Sequence, residues 1–164
     1  MIKLIILDVD GCLTDGKIIY SNSGDETKAF NVKDGLAIRS WVDLGHHVAI
    51  ITGRRSQLVE RRAKELGVTH LHQGIKEKAA VLEKICETLS IPLREVAAIG
   101  DDLNDYKMLS SVGYAFTPND GSKHIQKIVK HVCKANGGEG AVREMIEHLF
   151  EVNDEVEDYL QLWA

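Results

Sequence analysis

The sequence predicts an α/β fold, a Rossmann-like doubly wound parallel sheet with a projecting β-hairpin. Two observations predict it. Apolar runs of strand length alternate with segments of helical period along most of the chain, an order that implies crossover connections, a parallel sheet and helices on both faces. Residues able to do chemistry follow those apolar runs directly, and open α/β sheets bind ligands outside the carboxyl ends of their strands. At 164 residues the chain has the size of one domain and can bury a core without staples.

Lys3–Val9 reads as a buried strand, Leu36–Leu44 as a helix and His47–Ile51 as a second strand. Gln57–Leu66 is helical and stops at Gly67, a residue suited to the left-handed turn past a helix end. Val68–His72 follows as a short strand, and Lys78–Leu89 as a long helix before Ile91-Pro92. Glu95–Ile99 and Gly113–Phe116 are strands, Leu103–Leu109 and Ser122–Val129 helices. Lys17–Ser21 and Glu26–Asn31 flank a Ser-Asn-Ser-Gly-Asp turn and form the hairpin, spanning 17–31. The domain is expected over residues 1–151. Val152, Val156, Tyr159, Leu160 and Trp163 then recur at helical spacing in an amphipathic tail, 152–164, expected to pack on the domain or on a partner.

Composition narrows the function. A formal charge of −5 argues against a general binder of nucleic acid or membrane surfaces. The early apolar run Leu4–Leu7 is too short for a signal-peptide core or a membrane span. Cys12, Cys86 and Cys133 are odd in number and form no CxxC pair, so neither a disulfide framework nor a zinc site is expected, and a reducing cytoplasm fits.

The first strand ends in Asp8-Val9-Asp10-Gly11. Strand residues two apart share a face, so both carboxylates are expected in one space, where they repel or recruit a hard cation such as Mg²⁺. Gly11 permits a sharp turn. An EF-hand loop also begins D-x-D, but Leu13 and Ile19 stand where its glycine and glutamate belong. The second strand ends in Ile51-Thr52-Gly53-Arg54, where the hydroxyl suits a phosphate oxygen or caps the next helix. Lys78 opens a helix, where a cation opposes the dipole; it is expected to clamp an anion unless it is a plain surface lysine. Gly100-Asp101-Asp102-Leu103-Asn104-Asp105 puts a second acidic cluster at another strand end, with helix capping as the bland alternative. On a helical wheel of about 100° per residue, Arg62 falls inside the apolar stripe of Leu58, Val59, Ala63 and Leu66, so it requires a bound anion or a structural partner. His70 and His72 lack a third ligand for a metal.

D-V-D-G, I-T-G, the lysine and G-D-D-x-x-D together resemble the haloacid dehalogenase superfamily in order and spacing. The longer strings D-V-D-G-C-L-T-D-G, F-N-V-K-D-G-L-A-I-R, I-T-G-R-R and G-G-E-G-A-V-R-E extend the resemblance over nearly the whole chain, to the 3-deoxy-D-manno-octulosonate 8-phosphate (KDO 8-phosphate) phosphatases of lipopolysaccharide precursor synthesis and the related acylneuraminate 9-phosphate phosphatases. It implies that Asp8 is the nucleophile, Asp10 the acid and base, and Thr52 and Lys78 the orienting groups. It implies Mg²⁺ on Asp8, the Asp10 backbone carbonyl and Asp101, with Asp102 and Asp105 in support. It assigns the phosphorylated sugar acid to Asn31, Lys33, Asp34, Gly35, Arg39, Arg54, Arg62 and Lys78; the wheel independently favours only Arg62 and puts Arg39 on the polar side. The 15 residues between Asp15 and Asn31 suffice for the hairpin but not for the cap domain of many relatives. The resemblance also implies a homotetramer whose glycine-rich segment Gly137–Gly140 reaches a neighbour's site; an ordinary loop before a helix is the alternative. Arg54 points to KDO 8-phosphate and Glu139 to an acylneuraminate 9-phosphate. A non-catalytic module on the same fold is the reading from another class; a receiver domain, by contrast, carries its phosphorylated aspartate after the third strand.

Overall fold

The computed structural model describes residues 1–164. Its frame is one parallel sheet of six strands: β1 (Leu4–Leu7), β4 (His47–Ile51), β5 (His70–His72), β6 (Val96–Ile99), β7 (Tyr114–Thr117) and β8 (His131–Val132). Their spatial order is β5-β4-β1-β6-β7-β8. The chain moves outward from β1 on one side, then returns to lay β6 on the other. That reversal makes the carboxyl end of β1 the switch point of the sheet.

Alternate residues of β1 feed two cores. Ile5 and Leu7 pack with α1 (Val32–Asp43), α2 (Gln57–Leu66) and α6 (Ala141–Asn153). Leu4 and Ile6 pack with α3 (Lys78–Leu89), α4 (Tyr106–Ser111) and α5 (Lys123–Gln126) on the opposite face. Both faces being covered explains why the strands read as unbroken apolar runs. The hairpin projects from this body, with β2 (Ile19–Tyr20) pairing antiparallel to β3 (Glu26–Thr27). Between β4 and α3 the chain holds only α2 and β5, so neither insertion point carries a cap.

Several boundaries differ from the expected ones. Helix α1 begins at Val32, not Leu36, because the Asn31 side chain accepts a hydrogen bond from the Lys33 amide (2.8 Å) and starts the helix across a polar turn. The expected helix from Leu103 is a 3₁₀ turn, Leu103–Asp105, before α4: Asp102 and Asp105 cap that turn reciprocally. Strand β8, two residues long, is below the reach of any periodicity.

The C-terminal segment folds back on its own domain. Helix α6 crosses the expected boundary at residue 152 and runs to Asn153, whose side chain bonds both the amide and the carbonyl of Ile2. Asp154, at φ +60°, turns the chain into α7 (Val156–Gln161). Tyr159 stacks on Phe150 with ring centroids 4.6 Å apart, and the Trp163 indole donates to the Ser40 hydroxyl. Of the five residues in the expected apolar stripe only Tyr159 is buried; Val152, Val156, Leu160 and Trp163 stay exposed. No helix is long and apolar enough to cross a membrane.

Candidate active site

Leu7 of β1 is level with Ile50 of β4 and Ile99 of β6, so the residues that follow all three strands emerge side by side. They wall a cavity of about 270 Å³ with no apolar lining residue. The end of β1 contributes Asp8 and Asp10, that of β4 contributes Thr52 and Arg54, and that of β6 contributes Asp101 and Asp102. Asp8 and Asp10 share this space for a different reason from strand alternation. The strand stops at Leu7, and the pair sits on a tight turn in which Gly11 takes φ +95°. Glycine is required twice over there, by its backbone and because a Cβ would overlap the Asp101 carboxylate. Thr52 is spared the capping role, which Ser56 takes by accepting from the Leu58 amide.

Lys78, in the first turn of α3 and 2 % exposed, does not line the cavity itself but reaches Asp8, which does. Its ammonium donates to Asp8 Oδ1 (2.8 Å) and to Asp105 Oδ1 (2.6 Å). Burial alone would lower the Lys78 pKa, but the two carboxylates overcome that and hold it above its ordinary value. Those contacts offset the unfavourable place of a cation at a helix start. The other oxygen of Asp105 accepts from the backbone amides of Asp101 (3.0 Å) and Asp102 (3.4 Å), so one buried carboxylate ties the lysine to the acidic loop.

The carboxylates are set for a cation. Burial, then the charge of Asp105, pushes Asp8 up to about 6 against the pull of Lys78; burial, then Asp8 and Asp105, pushes Asp101 up to about 8. Ligand atoms of Asp8, Asp101 and Cys12 lie within 4.8 Å of one another. Burial raises the Cys12 thiol well above its ordinary pKa, and a thiol is a soft ligand that hard cations do not favour. What remains are two repelling carboxylate oxygens, a donor set that fits a hard divalent cation such as Mg²⁺.

The remaining predicted residues lie outside this cavity, and local partners explain why. Arg62 does face inward, but its partners belong to the chain itself: the Asn31 carbonyl (3.4 Å), Glu65 (3.5 Å) and the face of Phe30. Gly35 makes room for it, since a Cβ there would overlap the guanidinium. Asp34 is buried and accepts from the Arg143 amide (2.9 Å), which makes it a bond between α1 and α6. Arg39 pairs with Asp43 on the polar side of α1, as the wheel indicates. Lys33 is exposed, and Asn31 donates to the Gly138 carbonyl. Within its own chain the glycine-rich segment lies against the turn after β1. Gly138 donates to the Cys12 carbonyl (2.9 Å), and a Cβ on Gly137 would overlap the Gly11 carbonyl oxygen. These glycines allow close packing on the Asp8–Gly11 turn of their own chain.

Gly16 and Asn104, which line the cavity, escaped the sequence reading, and so did a lysine beside it. Lys28, from the hairpin, donates to Asp10 Oδ1 (2.6 Å) and pairs with Glu26 (3.2 Å), which in turn pairs with Arg54 (3.1 Å). Strand alternation in Glu26-Thr27-Lys28 puts the two charges on one side, a signal that was available.

Carboxylates on a turn after β1, a hydroxyl after β4 and a lysine locked between aspartates define a site suited to phosphoryl transfer. A haloacid dehalogenase-like hydrolase family model matches residues 71–146. The 3-deoxy-D-manno-octulosonate 8-phosphate phosphatase of Escherichia coli (strain K12) is 44 % identical over 148 residues, 90 % of this chain and 79 % of that protein. Its counterpart in Yersinia pestis is 42 % identical over 156 residues, 95 % of this chain and 83 % of that protein. The crystal structure of the Moraxella catarrhalis phosphatase, in complex with magnesium ion, phosphate ion and KDO, superposes with a TM-score of 0.96 at 40 % identity, covering 99 % of this chain and 94 % of that one. The chain belongs to the haloacid dehalogenase-like hydrolases and, within them, to the 3-deoxy-D-manno-octulosonate 8-phosphate phosphatase family.

Proposed function

We propose that the protein hydrolyses 3-deoxy-D-manno-octulosonate 8-phosphate to the free sugar acid and phosphate through an aspartyl phosphate on Asp8. The observation that carries the reading is the pair of contacts from the Lys78 ammonium to Asp8 and Asp105, in a chain of this family. One Asp8 oxygen is fixed by Lys78, and the other is the nucleophile that attacks phosphorus. Asp10 gives its proton to the departing sugar oxygen. It then takes one from the water that attacks the aspartyl phosphate, as microscopic reversibility requires. Thr52 and Lys78 orient the phosphoryl group, and their donors are in place before the charge develops. Magnesium, held by Asp8, Asp101 and the Asp10 backbone carbonyl, supplies the positive charge that lets an anionic ester approach this acidic wall.

The sugar acid is assigned to Arg54, at the mouth beside Asp10. With no cap at either insertion point the cavity stands open, which supports closure by neighbouring chains in a homotetramer. Exposed Ile18, Ile19 and Tyr20 on the hairpin suit such contacts. Three buried free cysteines fit a cytoplasmic setting.

A panel of phosphorylated sugar acids with Mg²⁺ tests the substrate. Selective turnover of KDO 8-phosphate is expected; preference for an acylneuraminate 9-phosphate would transfer the assignment to the nine-carbon acid. Asp8→Asn is expected to fold normally and to lose about 10⁴-fold or more of the turnover. A non-catalytic module would be insensitive to it.

A further inference from the structure

Lys28 stands on the projecting hairpin, yet its side chain is only 2 % exposed. A buried ammonium is costly unless paired, and here it is paired twice, with Asp10 and with Glu26. Glu26 also holds Arg54, whose guanidinium donates to the Tyr20 hydroxyl (3.3 Å). Charges therefore alternate along Asp10, Lys28, Glu26 and Arg54, from one wall of the cavity to another, through two hairpin residues. Lys28 itself does not line the cavity.

Lys28 is the sole side-chain partner of Asp10: it takes Oδ1, and Oδ2 accepts no hydrogen bond. Asp10 sits on a turn that does not by itself fix the carboxyl orientation. We propose that Lys28 is a positioning residue, anchored by Glu26, which holds Oδ1 of Asp10 so that Oδ2 is the atom presented to the leaving oxygen. The inference rests on the proposed phosphatase reaction and deepens it. In the first step the phosphorus–oxygen bond to the sugar breaks, a bond from Asp8 to phosphorus forms, and the proton on Asp10 Oδ2 passes to the sugar oxygen. Nothing else is consumed. Because Lys28 acts through Asp10, its contribution should scale with how much the departing group needs a proton.

That dependence supplies the test. Phosphoenzyme formation is followed by rapid quench with KDO 8-phosphate, whose alcohol needs protonation, and with para-nitrophenyl phosphate, whose phenolate departs without it. For Lys28→Met the step is expected to slow by about 100-fold on the sugar ester and by less than about threefold on the aryl ester, with KM for the sugar ester within about threefold of wild type. Lys28→Arg, which keeps a donor to Oδ1, is expected to recover most of the loss. Lys28 lies outside both cores, so the melting temperature should hold; if Lys28→Met does not fold, Lys28→Leu, which also has no donor, carries the same comparison. Equal slowing on both esters, no slowing on either, or a raised KM at unchanged kcat would overturn the inference while leaving the phosphatase reading intact. A wild-type protein idle towards both esters would overturn that reading and the inference with it.

Discussion

Lys78 is held as closely by Asp105, at 2.6 Å, as by Asp8, at 2.8 Å, and Asp105 is fully buried. The lysine is thus anchored by a residue that never meets the cavity, while Asp8 receives the free end of the same charge. A Cβ on Gly100 would overlap the Asp105 carboxyl group, so the glycine ahead of the acidic loop exists to admit this anchor.

Removing the anchor should cost more stability than removing an ordinary aspartate. Asp105→Ala strands a buried ammonium with one partner and leaves the Asp101 and Asp102 amides without theirs. A loss of about 3–5 kcal/mol is expected, read from the urea midpoint at constant m-value. An effect within about 0.5 kcal/mol, as at ordinary surface positions, would show that the network is not a structural unit.

Metal and proton should compete for the acidic wall. Asp8 and Asp101 have folded-state values of about 6 and about 8 in the metal-free protein, against 3.8 as the ordinary value. Between pH 4 and 8 the folded state therefore binds more protons than the unfolded chain, and stability falls as pH rises through that window. Added Mg²⁺ favours the ionised carboxylates, so its stabilising shift in melting temperature should grow with pH and fade towards pH 4. A shift that is constant across this range would mean that the cation binds elsewhere.

Gly137 should tolerate no side chain. Gly137→Ala forces the glycine-rich segment off the Gly11 carbonyl and disturbs the turn that carries Asp8 and Asp10. Overpacking of about 1–3 kcal/mol is expected in thermal or urea unfolding, together with reduced turnover. Gly24→Ala on the hairpin is the contrasting case: Gly24 has positive φ, which Gly137 does not, and its Cβ would meet nothing within 4 Å, so a loss there reports backbone strain without overlap.

The parallel sheet was legible because β1, β4 and β6 are buried on both faces and leave uninterrupted apolar runs. Residues following those runs marked the site, since chain order alone puts them at carboxyl ends. Arg62 shows where such reading stops. Its inward position was visible from helical periodicity, but whether a ligand or the Asn31 carbonyl answers it depends on how α1 sits against α2. Lys28 shares a face with Glu26 by strand alternation, but its partner Asp10 lies 18 residues back along the chain, and no local pattern names it.

The amino-acid order by itself determined the kind of fold, the helices α2 and α3, and the acidic, hydroxyl and lysine groups that gather after the strands, because those follow from local periodicity and from the geometry every parallel sheet shares. Only the tertiary structure decided that Asp105 anchors Lys78, that Asp34 joins two helices, that the glycine-rich segment packs on the Asp8–Gly11 turn of its own chain and that Lys28 grips Asp10. Each of these joins residues well separated along the chain, and a long-range partner is chosen by packing and charge in three dimensions, which no local pattern encodes.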